Sequence, residues 1–174
     1  VAIVGAPNAG KSTLLNALLN EERAIVSDIA GTTRDTIEDE ISIGGIGFRF
    51  IDTAGIRDTK DQIEQLGIAK TFEKIEQAQL VVYMVDLKKC HEDLAVLTAD
   101  AAALQKLKET YPKKPLLVLG NKADLISADA AAKIKETITD LSPLSAKEKE
   151  GIESLKEAFL NVVHTGALHN NDTI

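Results

Sequence analysis

Gly5-Ala6-Pro7-Asn8-Ala9-Gly10-Lys11-Ser12 decides the fold, because it matches the phosphate-binding spacing Gly-x4-Gly-Lys-Ser at every required position. The apolar run before it predicts a buried strand, and the run after it predicts a helix. The glycines allow backbone N–H groups to point at a phosphate chain, and the helix N-terminus adds its positive dipole. We expect Lys11 to reach the β- and γ-phosphates and the Ser12 hydroxyl to bind Mg²⁺. The residues expected around the phosphates are Asn8, Ala9, Gly10, Lys11, Ser12 and Thr13.

The composition is that of one globular domain. The hydrophobic share of 44% and the charged share of 27% are both ordinary, so the chain can bury a core. A single cysteine excludes a disulfide framework within the chain, and a reducing cytoplasm is expected. The net charge of −7 disfavours a general nucleic-acid binder, since phosphate contacts need clustered Lys and Arg. No apolar run is long enough to span a bilayer, so no membrane partner is expected.

Strand patterns alternate with helical patterns along the chain, which predicts an α/β fold with helices on both faces of a sheet. Gly44-Gly45 separates two strand patterns and is a two-residue hairpin signal, so one strand of that pair should be antiparallel. The hairpin pair and the other strand patterns together predict a six-stranded mixed sheet. Strands are expected at 1–4, 37–43, 46–51, 80–85, 116–120 and 141–144. Helices are expected at 12–20, 65–77, 92–109, 127–138 and 150–163.

We expect the domain to fill residues 1–168, with 169–174 as the start of a linker or next segment of a longer chain. This expectation rests on the predicted strand that already includes Val1, and on the polar composition after the last helical pattern. Two stretches, 21–36 and 52–64, show no periodicity. Irregular loops of this length in a compact domain are usually functional.

Each irregular stretch contains a short motif that fits a nucleotide–magnesium site. Asp52-Thr53-Ala54-Gly55 follows a predicted strand directly. Asp52 is expected to contact Mg²⁺ through water and the Gly55 N–H to touch the γ-phosphate, although a plain strand-ending turn is the alternative. Gly31-Thr32-Thr33-Arg34-Asp35 offers Thr33 as a second protein ligand of Mg²⁺ beside Ser12, since Mg²⁺ prefers oxygen.

A third motif selects the base. Asn121-Lys122-Ala123-Asp124 follows a predicted buried strand. The Asp124 carboxylate can accept hydrogen bonds from the N1–H and 2-amino groups of guanine, and adenine offers neither donor in that place. Ser145-Ala146-Lys147 follows the last predicted strand and is expected to close over the base. In this order and spacing, the motifs predict a site for GTP and GDP.

These ordered motifs make the chain similar to translation-factor-class GTPases, whose P-loop NTPase fold is the Ras-like G domain. Three stretches resemble the tRNA-modification GTPase family MnmE (TrmE): residues 5–12, residues 24–35, and Asp52-Thr53-Ala54-Gly55-Ile56-Arg57 followed by Glu64. The Era and Der (EngA) ribosome-assembly families share Pro-Asn-x-Gly-Lys-Ser and a Thr-Arg pair, and they remain the alternative. Ala9, the loop 28–33 and the stretch 63–68 favour the MnmE family.

Ile56 stands where Ras-like enzymes carry the Gln that orients the attacking water, and an isoleucine cannot do so. From the residues alone, three downstream carboxylates remain open as replacements: Asp58, Asp61 and Glu64. The resemblance to MnmE implies Glu64. It also implies K⁺ in the place of an arginine finger, with a turn-forming role for Asn8 after Pro7 as the alternative. The implied K⁺ ligands are Asn8 and carbonyl groups of the loop Ser27, Ile29 and Thr32.

The same resemblance implies the partners. A second copy of the domain would meet this one through the switch loops. Arg34 and Arg57 are candidates at that contact, and surface charges are the equal alternative. In the full-length protein, the partners would be a flavoprotein, MnmG (GidA), and tRNA, which would be modified at its wobble uridine. The Era or Der alternative is a GTP-dependent RNA-binding adaptor, and a P-loop kinase is disfavoured because residues 52–55 and 121–124 have no place in it. Cys90 has no Cys or His residues at metal-ligand spacing, and we expect it to be a structural or a surface residue.

Overall fold

The computed structural model describes residues 1–6, 8–22, 39–51 and 68–164 of the chain, and these form six strands and six α-helices. The strands are β1 (Ala2–Gly5), β2 (Asp39–Ile43), β3 (Ile46–Phe50), β4 (Val81–Asp86), β5 (Leu116–Asn121) and β6 (Leu141–Pro143). The helices are α1 (Lys11–Glu22), α2 (Ile68–Gln77), α3 (Leu87–Glu92), α4 (Leu94–Thr110), α5 (Ala128–Thr137) and α6 (Ile152–His164), with a 3₁₀ turn at Ala123–Leu125.

Four strands form a parallel sheet in the order β1-β4-β5-β6. Ile3 lies opposite Val82, and Val82 lies opposite Leu117 in the next strand. Strand β4 is buried at all six positions, as expected for a parallel strand that helices cover on both faces. The α/β class predicted from the alternating patterns is therefore confirmed.

The remaining two strands form the predicted antiparallel hairpin, with positive φ angles of 58° at Gly44 and 82° at Gly45. Two hydrogen bonds join the hairpin to the parallel sheet. The Val1 amine donates to the Arg49 carbonyl at 2.7 Å, and the Ile51 N–H donates to the Val1 carbonyl at 2.9 Å. Among the described residues, the predicted six-stranded sheet is thus divided into four strands and two, because these bonds flank the single residue Val1 and form no longer ladder.

Two apolar cores, one on each face of the sheet, result from the alternation of side chains along β1 and β4. Ile3 and Val82 face α1 and α6, while Val4 and Val85 face α4 and α5. Phe159 of α6 closes the first core against the hairpin, with its ring centroid 5.2 Å from that of Phe48. No helix in the described part of the chain is both long and apolar enough to cross a membrane.

The segment after β4 differs from the sequence-based prediction, which placed one helix at 92–109. The structure has a short helix, α3, directly after β4, and α4 begins at Leu94. Two aspartates cap these helices: Asp86 accepts a hydrogen bond from the Lys89 N–H, and Asp93 accepts one from the Ala95 N–H. Six residues are too few to show a helical period, so the pattern gave no sign of α3.

Candidate nucleotide-binding site

The carboxyl ends of β1, β4 and β5 lie side by side and set the position of the site. Gly5 pairs in register with Met84, and Asp86 pairs with Asn121. The loops that leave these strands therefore start at one edge of the sheet. Ligands of open parallel sheets bind at this edge, in the crevice outside the carboxyl ends of the strands.

The loop after β1 depends on backbone conformations that favour glycine or asparagine. The φ angles are 148° at Gly5, 64° at Asn8 and 100° at Gly10. Space is limited as well as conformation. A Cβ on Gly5 would lie 2.4 Å from the Met84 carbonyl oxygen, and a Cβ on Gly10 would lie 2.0 Å from Nδ2 of Asn121. The second contact shows that the phosphate loop and the end of β5 are packed directly together.

Helix α1 begins at Lys11, and the Leu14 N–H donates to the Gly10 carbonyl at 2.9 Å. The Lys11 side chain folds back across the loop, and its Nζ donates to the Gly5 carbonyl at 2.9 Å. A nearly buried ammonium and a helix N-terminus thus meet in one loop, which is the chemistry that binds phosphate. Ser12 is half-buried on the same turn, while Asn8 and Thr13 are exposed.

Asn121 connects three loops of the site. Its Nδ2 donates to the Ala9 carbonyl at 2.8 Å, and its Oδ1 accepts from the Ala146 N–H at 3.0 Å. The side chain is 3% exposed, so both bonds are shielded from water. Sequence reasoning assigned Asn121 to the base-recognition motif, but it gave no indication that this amide also holds the phosphate loop in place.

The next residue, Lys122, adopts a left-handed conformation with φ 66°. Its Nζ donates to Oδ2 of Asp86 at 2.8 Å, while Oδ1 of Asp86 accepts from the Lys89 N–H at 3.1 Å. The Asp86 side chain is almost completely buried. Sequence analysis did not single out Asp86, and its only sequence signal is its place as the last residue of a buried strand.

Asp124 is exposed in the 3₁₀ turn that follows Lys122. The Ala123 N–H donates to the Leu144 carbonyl at 3.0 Å, which ties this turn to the loop after β6. In that loop, the buried Ser145 accepts a hydrogen bond through Oγ from the Glu148 N–H at 3.2 Å. Ala146 is buried beside Asn121, and Lys147 is exposed. The two segments predicted to enclose the base are therefore linked to each other.

Several predicted site residues lie outside the described residues. They are Gly55 and Glu64 among the catalytic residues, Thr33 and Asp52 among the Mg²⁺ ligands, Ser27, Ile29 and Thr32 among the K⁺ ligands, and Arg34, Ile56 and Arg57. Residues 169–174 also lie outside them. Within the described ranges, no group of three or more His, Cys, Asp or Glu side chains is arranged to hold a metal ion.

A buried polar cluster joins β4, α3 and α4, and no sequence pattern indicated it. The Tyr83 hydroxyl donates to Oδ1 of Asp100 at 2.8 Å, and the Cys90 thiol lies 3.6 Å from Oδ2. Burial raises the pKa of Asp100, while the hydrogen bonds from Tyr83 and Cys90 partly offset that rise. Burial, followed by the charge of Asp100, raises the pKa of Cys90 to about 12. Cys90 is therefore an interior thiol held as the neutral form.

Comparison with known proteins gives consistent matches. The protein-family profile described as 50S ribosome-binding GTPase matches residues 1–122. Proteins named tRNA modification GTPase MnmE match all of this chain: the one from Flavobacterium psychrophilum is 60% identical over 174 residues, and the one from Bacteroides thetaiotaomicron is 47% identical over 181 residues. The chain spans 37% and 38% of the length of these two relatives.

Solved structures with this fold include other GTP-binding proteins. The G domain of FeoB from Methanococcus jannaschii has a TM-score of 0.57 and 31% identity, covering 94% of this chain and 96% of that one. Elongation factor SelB from Methanococcus maripaludis, in complex with the GTP analogue GppNHp, has a TM-score of 0.68 at 16% identity, which indicates a shared fold. That match covers 98% of this chain and 34% of the SelB chain.

Proposed function

The chain belongs to the family described as 50S ribosome-binding GTPase, and from that premise we propose that its GTP hydrolysis serves tRNA modification, through the loops at the carboxyl edge of the sheet. GTP binding and hydrolysis are the activities of the family. The assignment to tRNA modification rests on the relatives that match the whole chain. The observation that best supports the site is the Asn121 side chain, which bonds the phosphate loop and the base loop at once.

The phosphate half of the proposed site uses Lys11 as the cation for the β- and γ-phosphates, together with the N–H groups of residues 8–13. On binding, the Lys11 ammonium would exchange the Gly5 carbonyl for phosphate oxygen. Mg²⁺ fits here because the Ser12 hydroxyl, next to Lys11 at the start of α1, supplies the hard oxygen ligand that this ion prefers. The other proposed Mg²⁺ ligands are Thr33 and Asp52. When bound, the ion would neutralise charge that develops on the phosphates.

The base half uses Asp124, which would accept hydrogen bonds from the N1–H and 2-amino groups of guanine. Asp124→Asn should shift the preference from guanine towards xanthine, which presents an acceptor where guanine has its amino group. We expect GDP affinity to fall by about a hundredfold, with xanthosine diphosphate regaining most of the loss. Asp129→Asn, an exposed aspartate on α5, is the matched control, and unchanged GDP affinity in Asp124→Asn would refute the assignment.

For hydrolysis, we propose that Glu64 orients the attacking water and that the Gly55 N–H contacts the γ-phosphate. Glu64→Ala should lower the turnover rate by about a hundredfold or more and leave GTP affinity near its original value. Glu73→Ala is the control, since Glu73 is an exposed glutamate on α2. Weakened binding with normal turnover would assign the role to another carboxylate, Asp58 or Asp61.

We also propose that K⁺ stands where other GTPases use an arginine finger. Asn8 would ligate K⁺ through its amide oxygen, together with carbonyl groups of Ser27, Ile29 and Thr32. Turnover should be about tenfold or more faster in K⁺ than in Na⁺, because the ion would stabilise charge in the transition state. Asn8→Gly keeps the left-handed backbone and removes the amide, so it should abolish the difference between the two salts. Equal rates in both salts for the unmodified chain would rule out this role.

We further propose that two copies of the domain meet through their switch loops, near Arg34 and Arg57, and that the whole protein acts with the flavoprotein MnmG (GidA) on the wobble uridine of tRNA. Specific GTPase activity should then rise with protein concentration. In cells with Glu64→Ala at the native locus, the modified wobble uridine should fall, as measured by mass spectrometry of total tRNA. Cells with Glu73→Ala should keep it.

The family description favours a second candidate function, a GTP-dependent ribosome-assembly adaptor of the Era or Der type. The two candidates differ in what GTP controls. If cosedimentation with 50S particles requires GTP, and the wobble modification persists in Glu64→Ala cells, the adaptor function replaces the one proposed above.

A further inference from the structure

Asp86 lies where the base-recognition motif leaves the sheet. As the last residue of β4, it pairs in register with Asn121, the last residue of β5. Lys122 then turns away from the strand with φ 66°, a left-handed conformation that is unfavourable for lysine. Its side chain returns across the ends of both strands to the Asp86 carboxylate, at 2.8 Å. The Asp86–Lys122 ion pair therefore closes a strained turn.

The burial of this pair is uneven. The Asp86 side chain is 3% exposed and the Lys122 side chain is 30% exposed. A carboxylate shielded from water needs a cation or several hydrogen-bond donors nearby, because its hydration is lost. The Asp86 charge also acts on its surroundings, since it contributes to the raised pKa of Asp100. With two carboxyl groups in this region, the ammonium of Lys122 supplies the opposite charge.

The two carboxylate oxygens of Asp86 accept hydrogen bonds from two different elements. Oδ1 accepts from the Lys89 N–H and starts helix α3, while Oδ2 accepts from Lys122 Nζ. A helix cap needs one acceptor oxygen, so capping alone leaves the second bond unexplained. The bond from the Lys89 N–H fixes the orientation of the carboxylate. Oδ2 is therefore held in a defined position to accept from Lys122.

We propose that Asp86 is a positioning residue for guanine recognition, which holds Lys122 in its left-handed turn and so sets the place of Asp124 two residues later. The proposal rests on the proposed role of Asp124. It requires no contact between Asp86 and the nucleotide. The carboxylate acts through Lys122, and the 3₁₀ turn Ala123–Leu125 carries the effect to the base, supported from the other side by the Leu144 carbonyl.

Asp86→Asn tests this idea, because asparagine has one acceptor oxygen where aspartate has two. With its oxygen in the capping position, the amide would place its NH₂ group where Oδ2 of Asp86 now faces Lys122, and that group cannot accept from the ammonium. Asp93→Asn is the matched control. Asp93 is also an N-cap, but it is exposed, and asparagine can keep the bond that it makes to the Ala95 N–H. Should Asp86→Asn not fold, Asp86→Ser keeps a capping hydroxyl, removes the buried charge and serves the same comparison.

The readout is the dissociation constant of GDP and of inosine diphosphate, whose base lacks the 2-amino group that Asp124 would bind. We expect Asp86→Asn to weaken GDP binding by about tenfold, the usual scale for losing one charge-assisted hydrogen bond, and to reduce discrimination between the two nucleotides. KM for GTP should rise while kcat at saturation stays the same. Asp93→Asn should remain within about twofold of the unmodified chain in each measurement.

The possible failures can be told apart. If Asp86→Asn lowers only the thermal midpoint, or weakens both diphosphates equally, Asp86 does not position the base loop and the inference is overturned. Asp124→Ala, measured in parallel, tests the premise. If Asp124→Ala leaves discrimination against inosine diphosphate intact, the role proposed for Asp124 is wrong, whatever Asp86→Asn does.

Discussion

The loop after β1 and the loops after β5 and β6 reach the same edge of the sheet, but different interactions hold them there. The phosphate side relies on backbone conformation, with positive φ angles at Gly5, Asn8 and Gly10. The base side relies on three buried side chains: Asp86 bonds to the Lys122 side chain, while Asn121 and Ser145 bond to backbone groups.

This difference matches what each side has to recognise. A phosphate chain is bound by N–H groups and a cation, and the backbone dihedral angles of the loop set the directions of the N–H groups. Selection of one base requires a side-chain carboxylate at a defined position, and a buried hydrogen-bonded network restricts such a position better than a surface loop does. Asn121 belongs to both sides, because it bonds the Ala9 carbonyl and the Ala146 N–H.

The largest effect is expected where the two sides touch. In Gly10→Ala, the new methyl group would meet Asn121 Nδ2 at 2.0 Å, and φ 100° would remain unfavourable. A shift of Nδ2 away from this methyl group would disturb its buried bond to the Ala9 carbonyl. We expect the free energy of unfolding in urea to fall by about 3 kcal/mol and nucleotide binding to be lost.

Gly45→Ala provides the control for that experiment. Gly45 has φ 82°, but a Cβ there would meet no atom within 4 Å. We expect Gly45→Ala to lower the free energy of unfolding by about 1 kcal/mol, because of backbone strain, and to keep nucleotide binding. Equal losses in the two variants would mean that strain, and not the contact with Asn121, makes Gly10 necessary.

A smaller effect is expected for Asn121→Ala, which removes the connection and adds no clash. The Ala9 carbonyl and the Ala146 N–H would each lose a partner in a buried place, and we expect about 2 kcal/mol of lost stability in urea unfolding. Asn16→Ala, on the exposed side of α1, should change stability by less than about 0.5 kcal/mol. A loss in Asn121→Ala no larger than that of Asn16→Ala would show that the two sides are held independently.

The smallest effect concerns the cluster behind the base side, and it depends on pH. Because burial raises the pKa of Asp100 above its ordinary value of about 3.9, the folded state keeps this proton at pH values where the unfolded state has lost it. The contribution of Asp100 to stability is therefore complete at low pH and is lost as pH rises through the raised pKa.

Asp100→Asn removes that titration, so the unmodified chain should lose stability relative to this variant as pH rises from about 4 towards neutrality. Urea unfolding at a series of pH values measures the difference, with Asp129→Asn as a control for an exposed aspartate. A difference that grows in the opposite direction would mean that the hydrogen bonds from Tyr83 and Cys90 outweigh burial.

The two sides of the site could be predicted from the sequence to different extents. The spacing Gly-x4-Gly-Lys-Ser predicted the strand, loop and helix around Lys11, because those dihedral angles depend on the residues themselves. The motif 121–124 was placed at the end of the correct strand. The bonds from Asn121 to Ala9 and from Lys122 to Asp86 could not be predicted, since they join residues far apart in the chain through side-chain directions that no spacing encodes.

The same reason explains the other differences. Asp100 lies in an alanine-rich helical pattern, and its partner Tyr83 is on a neighbouring strand, so neither residue's pattern indicates the pair. Helix α3 was missed because one capping aspartate, and not a period, starts it. The roles of Asp52, Gly55, Glu64 and Thr33 remain predictions, since these residues lie outside the described part of the chain.

The aromatic contact between the hairpin and α6 has a consequence for the order in which the chain folds during synthesis. Phe48 and Phe50 precede β4, β5 and β6 in the chain, while Phe159, which covers both of them, is close to the end of the described residues. A growing chain must therefore keep these two rings without their final partner while most of the sheet is made. Contacts that close so large a loop form late and slow folding, so the hairpin would keep apolar surface exposed on the nascent chain until α6 has been made.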